Sequence, residues 1–238
     1  MKPIAPLLLL IAAASVRLEA SIVTMAVSPA RIVVAADSRV RMRDVGGEVT
    51  ESRDTACKIW QRGDTFIAAA GVVSEADAFD IQAVIPDVLA QSGTARDRFV
   101  SLVKALYLQP RSPLSPLRKI MLMVASYAGK RGPDVAVGVV PVEALDILRS
   151  PAEPTACTGT ARCGNMYVAA KPDRGVDDIA ASERFKRGGL TEGETIDLMR
   201  DVIGRQAALT PDSVGGPVDV LVLDARGPRW VARKPECR

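Results

Sequence analysis

The order of strand-like and helix-like segments predicts an α+β domain in which sheets pack together and helices lie outside them. Three observations predict it. Runs rich in β-branched residues occur at the beginning, middle and end of the chain. Blocks with helical spacing separate them. Apolar residues make up 48% of the 238 positions, enough for a sizeable core in one domain.

The elements follow in order. Residues 21–27 form a first strand, "SPA" at 28–30 a turn, and "RIVVAAD" a second strand with the nearly continuous apolar run of a sheet covered on both faces. The polar stretch "RMRDVGGEVTESRD" reads as a loop. "TACKIWQ" and "DTFIAAAG" read as strands around the turn "RGD". Ser74 is an N-cap candidate for a helix over "SEADAFDIQAVIPDVLAQSG", with Ala78, Ile81, Val84 and Ile85 on one face and Pro86 as a kink or split point. Residues 95–108 form a second helix on the stripe Phe99, Leu102, Val103 and Leu106. "KIMLMVASYA" and "PDVAVGVVPV" are strands, with Met121 and Met123 read as core. Residues 155–175 carry no clear period. Helices are expected over 176–186 and 192–208, and "GGPVDVLVLDARGPRWVAR" closes the chain as a hairpin with its turn at "ARGP".

Composition excludes several chemistries. The chain has no histidine, so no Ser-His-Asp triad, Cys-His pair or His-ligated zinc can form. A net charge of +3 and 4% aromatic residues give neither a polyanion footprint nor a stacking platform for nucleic acid. The four cysteines, Cys57, Cys157, Cys163 and Cys237, show no zinc spacing. They read either as disulfides, with Cys157 and Cys163 near enough to close a small loop, or as reduced structural thiols. No cofactor is called for.

The first twenty residues, "MKPIAPLLLLIAAASVRLEA", have a basic start, an apolar run from Ile4 to Val16 and a small residue, Ala20, at the end. The run is shorter than the ~20 residues that a membrane span needs. It reads as an export signal or as a propeptide removed by the protein itself. Either route frees Ser21. Export makes the protein periplasmic or secreted; self-removal leaves it cytoplasmic. Once the leader is gone, nothing in the sequence predicts membrane attachment.

A serine hydroxyl needs a base. With histidine absent, the α-amine of a new N-terminus is the natural substitute, because its ordinary pKa of about 7.7–8.0 leaves a useful neutral fraction near pH 7. A turn at Ser28–Ala30 sets Ser21 opposite Asp37, at the ~4.5–5.5 Å separation of facing strand residues. Lys58 is the candidate cation that would lower the amine's pKa, with Asp37 as its partner.

These residues carry a resemblance. "SIVTMAVSPARIVVAADSRV", then "KI", then "IAAAG", resembles the start of a proteasome β-type subunit or of the related bacterial ATP-dependent peptidase subunit. Those proteins are N-terminal-nucleophile hydrolases that begin with threonine. The resemblance implies a four-layer α/β/β/α sandwich over residues 21–238. It puts Ser21 at the nucleophile, Asp37 and Lys58 at the family's aspartate and lysine, and Gly71 at the oxyanion glycine. "PDSVGGPVDVLVL" is similar to a family segment with an aspartate and serine before paired glycines, which brings in Asp212 and Ser213, offset by one. By analogy Val40, Ala56, Trp60 and Ala69 line the acyl-side pocket. The implied reaction is hydrolysis of a peptide or small amide through an acyl-enzyme, by a protein that can assemble as a homo-oligomer. The alternatives are an inactive relative used for binding or assembly, and a cytosolic protease of the same kind.

Overall fold

The computed structural model describes residues 17–20, 22–43, 48–75, 79–108, 119–127, 132–141, 155–158, 165–170 and 190–237. They form a mixed α+β fold of two mostly antiparallel sheets and three helices.

The first sheet has the strand order β11-β10-β9-β7-β1-β4-β5, with β6 and β8 also paired to β7. Its members are β1 (Arg17–Ala20), β4 (Val40–Arg43), β5 (Val49–Arg53), β6 (Ile59–Arg62), β7 (Thr65–Glu75), β8 (Phe79–Asp80), β9 (Lys119–Tyr127), β10 (Pro133–Pro141) and β11 (Thr155–Thr158). The second has the order β12-β2-β3-β13-β14, from β2 (Ile22–Ser28), β3 (Arg31–Ala36), β12 (Asn165–Ala170), β13 (Asp219–Asp224) and β14 (Gly227–Ala232). The helices are α1 (Ile81–Ala90), α2 (Ala95–Tyr107) and α3 (Glu192–Leu209).

Strand alternation distributes the core. On β7, Ile67 and Ala69 pack with Ile81, Ile85 and Val88 of α1 and Phe99 and Leu102 of α2. Phe66, Ala68 and Ala70 instead pack with Met25 of β2, Val34 of β3 and Leu221 of β13. On β2 and β3 the other parity, Ile22, Ala26, Val33 and Ala35, packs with Ile196, Met199, Val202 and Ile203 of α3. Both strands are covered on both faces, which is why "RIVVAA" is continuously apolar. Each buried large aliphatic stabilises the fold by about 1.5–3 kcal/mol. Thr94 and Thr191 close capping boxes with Asp97 and Glu194, which fixes where α2 and α3 begin.

Several elements differ from the sequence expectation. The leader's last four residues are strand β1, lying between β4 and β7. The stretch 41–54, expected as loop, contains the ribbon β4–β5; every residue of β5 is exposed, so no apolar alternation marked it. Ser74 does not cap a helix: β7 continues to Glu75, and the N-cap is Asp80, whose carboxylate accepts the Gln82 N–H. Ala78 lies outside the described residues. Pro86 does not interrupt α1, because both it and Gln82, the residue whose carbonyl it leaves unpaired, are exposed to water. The stretch without a clear period supplies β11 and β12, and the helix expected over 176–186 lies outside the described residues.

Cys57 and Cys237 form a disulfide across a sequence separation of 180. A cross-link over so long a loop removes chain entropy from the unfolded state worth roughly 5 kcal/mol in the chain-entropy account. Cys163 lies outside the described residues. None of the described helices is long and apolar enough to cross a membrane.

Candidate active site

The first hairpin turns on two residues, Pro29 and Ala30, so Ser28 faces Arg31 and Val23 faces Ala36. The three-residue turn expected from sequence would have put Ser21 opposite Asp37. The observed register is one residue away and puts Asp37 opposite Ile22, the residue after Ser21; Ser21 itself lies outside the described residues. The Ile22 N–H donates to Asp37 Oδ1 at 3.2 Å. The aspartate is therefore still at the head of β2.

Asp37 is completely buried and accepts from several donors. The Lys58 ammonium donates to Oδ1. On Oδ2, the Arg39 N–H donates at 3.1 Å and the Gly215 N–H at 3.0 Å. Lys58 is 1% exposed, and its burial pushes the ammonium below the ordinary lysine range; the adjoining Asp37 carboxylate opposes that shift. A buried ion pair is held this way only when its remaining lone pairs are also satisfied.

Strand β7 explains how Lys58 and the leader's end come together. One edge of β7 carries β9 along residues 65–71. The other carries β6 opposite residues 65–68 and then β1 opposite residues 71–75. Lys58, just before β6, accepts the Ala69 N–H through its carbonyl at 3.1 Å. Ala20 pairs with Gly71, two residues further on. Gly71 has φ 99°, in the left-handed region that favours glycine. Ala20 also pairs with Val40 on its other side.

The residues expected to line the pocket fall in different places. Val40 is buried in β4. Trp60 and Ala69 pack in the cluster under α1 and α2. The Ala56 N–H donates to the Ser38 carbonyl at 3.0 Å.

The loop before β13 meets the site through backbone rather than through its acidic and hydroxyl side chains. Gly215 donates to Asp37, and its carbonyl accepts the N–H groups of Ser38 and Arg39, both at 3.1 Å. The Ser38 hydroxyl donates to the Pro217 carbonyl. Asp212 is exposed and acts on Arg39 by charge. Ser213 is buried, with its N–H donating to the Thr210 carbonyl at 2.9 Å. Sequence reading missed Gly215, Arg39 and Asp54 as members of this junction. Arg39 grips Asp54 through two hydrogen bonds, at 2.6 and 2.7 Å, and holds its carboxyl below the usual range. The signal for the loop was the glycine pair. A Cβ on Gly215 would come within 2.8 Å of the Arg39 guanidinium carbon. Gly216 has φ +71°, and a Cβ there would lie 2.7 Å from the Asp54 Cβ and 3.0 Å from the Ser38 Oγ.

Gly216→Ala is therefore expected to destabilise the protein by about 1–3 kcal/mol, from backbone strain and overlap. Denaturant unfolding of the variant beside the wild type measures it, and an unchanged midpoint would contradict the packing described.

Among the described residues no group of three or more Cys, Asp or Glu is arranged to hold a metal ion. No protein-family model matches the chain, and no curated protein sequence matches it.

Proposed function

We propose that this protein is an N-terminal serine hydrolase that cleaves peptide or small amide bonds. The observation that carries the reading is the buried Asp37–Lys58 pair, bonded to the N–H of the residue that follows Ser21. Ser21 Oγ attacks the carbonyl carbon. Its own α-amine takes the proton through a water and returns it to the leaving amine. The Gly71 N–H stabilises the oxyanion, a contribution that typically amounts to about 10²–10³ in kcat for one donor. Water then hydrolyses the ester. The pairing of Ala20 with Gly71 supports this assignment, because Ala20 carries the carbonyl of the bond that must break to free Ser21.

The three core clusters support a four-layer α/β/β/α sandwich, with α1 and α2 on one outer face and α3 on the other. The Cys57–Cys237 disulfide supports export, since such bonds persist in oxidising compartments.

The test is intact-mass and N-terminal sequence analysis of the purified protein, combined with turnover of peptidyl aminocoumarin amides. The expected result is a chain beginning at Ser21 that hydrolyses an amide. Active protein that still carries Ala20 would sink the reading. The pH profile adds a second check. The acid limb of kcat/KM reports the free α-amine, and a neighbouring ammonium lowers that limb below the ordinary 7.7–8.0 range. An acid limb at or above that range means Lys58 is not acting on the amine.

A further inference from the structure

We propose that residues 234–237 are a positioning device for Lys58, in which Lys234 and Cys237 hold the two residues that precede it. The inference rests on the reading of Lys58 as the cation beside the nucleophile, and it assigns a role to a second buried ion pair that this chemistry does not use.

Residues 55–58 belong to no strand, yet they must deliver the Lys58 ammonium to Asp37. The chain end supplies much of the constraint. The Lys234 ammonium donates to the Ala56 carbonyl at 2.8 Å, across a sequence separation of 178. Cys57 is joined to Cys237. Lys234 is fixed in turn by Asp219: its N–H donates to Oδ1 and its ammonium lies on Oδ2, each at 2.8 Å. The Cys237 N–H donates to the Lys234 carbonyl at 3.1 Å, which closes the short terminal turn. Asp219 opens β13 opposite Ala36, the residue before Asp37. The carboxylate that anchors Lys234 and the one that anchors Lys58 therefore start from adjoining positions on paired strands.

Asp219 and Lys234 are both almost fully buried. A buried ion pair contributes little stability compared with apolar residues of the same volume. What this pair does supply is a directed donor at a backbone carbonyl that no strand partner reaches. The disulfide sets the neighbouring residue at the same time. Lys234 does not contact reacting atoms on this reading; it acts through Ala56.

The experiment uses the full, processed chain with Cys57→Ser and Cys237→Ser combined, so Cys157 and Cys163 are untouched. Two readouts are taken under conditions where the variant is folded. The first is the acid limb of kcat/KM. The charged groups around Lys58 are Asp37, Asp54 and Lys234, and the serine pair alters none of them. A limb that moves to higher pH by roughly half a unit or more reports a displaced Lys58 ammonium. Simple loss of folded protein would lower the rate and leave the limb where it was. The second readout is peptide-level hydrogen exchange, expected to quicken over residues 55–62 and to leave β9 and β10 protected. Lys234→Met removes one of the charges around Lys58, so its limb is not read; it is expected to quicken exchange over the same residues, and that readout carries the test if the serine pair does not fold.

An unmoved limb together with uniform exchange overturns the proposal. If the wild type hydrolyses no amide, the proposed function fails. The exchange pattern, which needs no activity, still decides whether the chain end positions Lys58.

Discussion

On the proposed mechanism, replacing Ser21 by alanine is expected to lower amide turnover by about 10⁴-fold or more, the scale expected when a nucleophile is removed from a covalent mechanism. Where a signal peptidase removes residues 1–20, the loss is expected in kcat, since alanine keeps the β-carbon and the α-amine and lacks only the hydroxyl that the proposed mechanism uses to form the acyl bond. Intact mass of the same variant separates the two routes of leader removal. If the protein cuts itself, Ser21→Ala retains residues 1–20; if a signal peptidase cuts, the variant starts at residue 21 and is inactive all the same. A variant that turns over substrate at the wild-type rate would end the case for Ser21.

Lys58→Met is expected to cost about 3 kcal/mol of stability and to remove activity. Deleting one partner of a buried pair leaves the other charge uncompensated, at a usual cost of about 3–5 kcal/mol. The lower end applies because Asp37 keeps the N–H groups of Ile22, Arg39 and Gly215. The pH dependence has a definite sign. Burial sets the folded-state pKa of Lys58 below the ordinary value of 10.5. Between that lowered value and 10.5 the folded protein binds fewer protons than the unfolded chain, so the wild type gains stability as pH rises through the window. The gain disappears as pH falls through the lowered value. Lys58→Met has no such dependence, so the gap between the two proteins widens toward alkaline pH. Parallel denaturation curves between neutral pH and pH 10 check this; a constant gap contradicts the described burial of Lys58.

Much of this architecture was legible because burial wrote itself into pattern. A continuous apolar run announced β3, the closing hairpin pattern around "ARGP" announced β13 and β14, and the stripe Phe99, Leu102, Val103 announced α2. The ribbon β4–β5 was not legible, since an exposed strand leaves no alternation to read. The start of α1 was misread because β7 continues through Val72 and Val73, where β-branched residues adjoin a serine that looks like a cap. The hairpin register slipped by one, as sequence cannot distinguish a turn of two residues from one of three around Pro29. Within the site, Asp37 and Lys58 could be named because they lie only 21 residues apart, Asp37 just after the first hairpin and Lys58 just before β6. Gly215, Lys234 and the Cys57–Cys237 link could not, because each acts across about 180 residues.

That distance has a consequence for biogenesis. Asp37 is not fully coordinated until Gly215 has been synthesised, and the Cys57 link needs Cys237. Translation delivers Asp37 and Cys57 well before these partners. On the proposed reading, a nascent chain that lacks these partners would hold Ser21 without the groups that position Lys58 and Asp37 beside it, so cutting would be expected only after Gly215 and Cys237 have joined the fold.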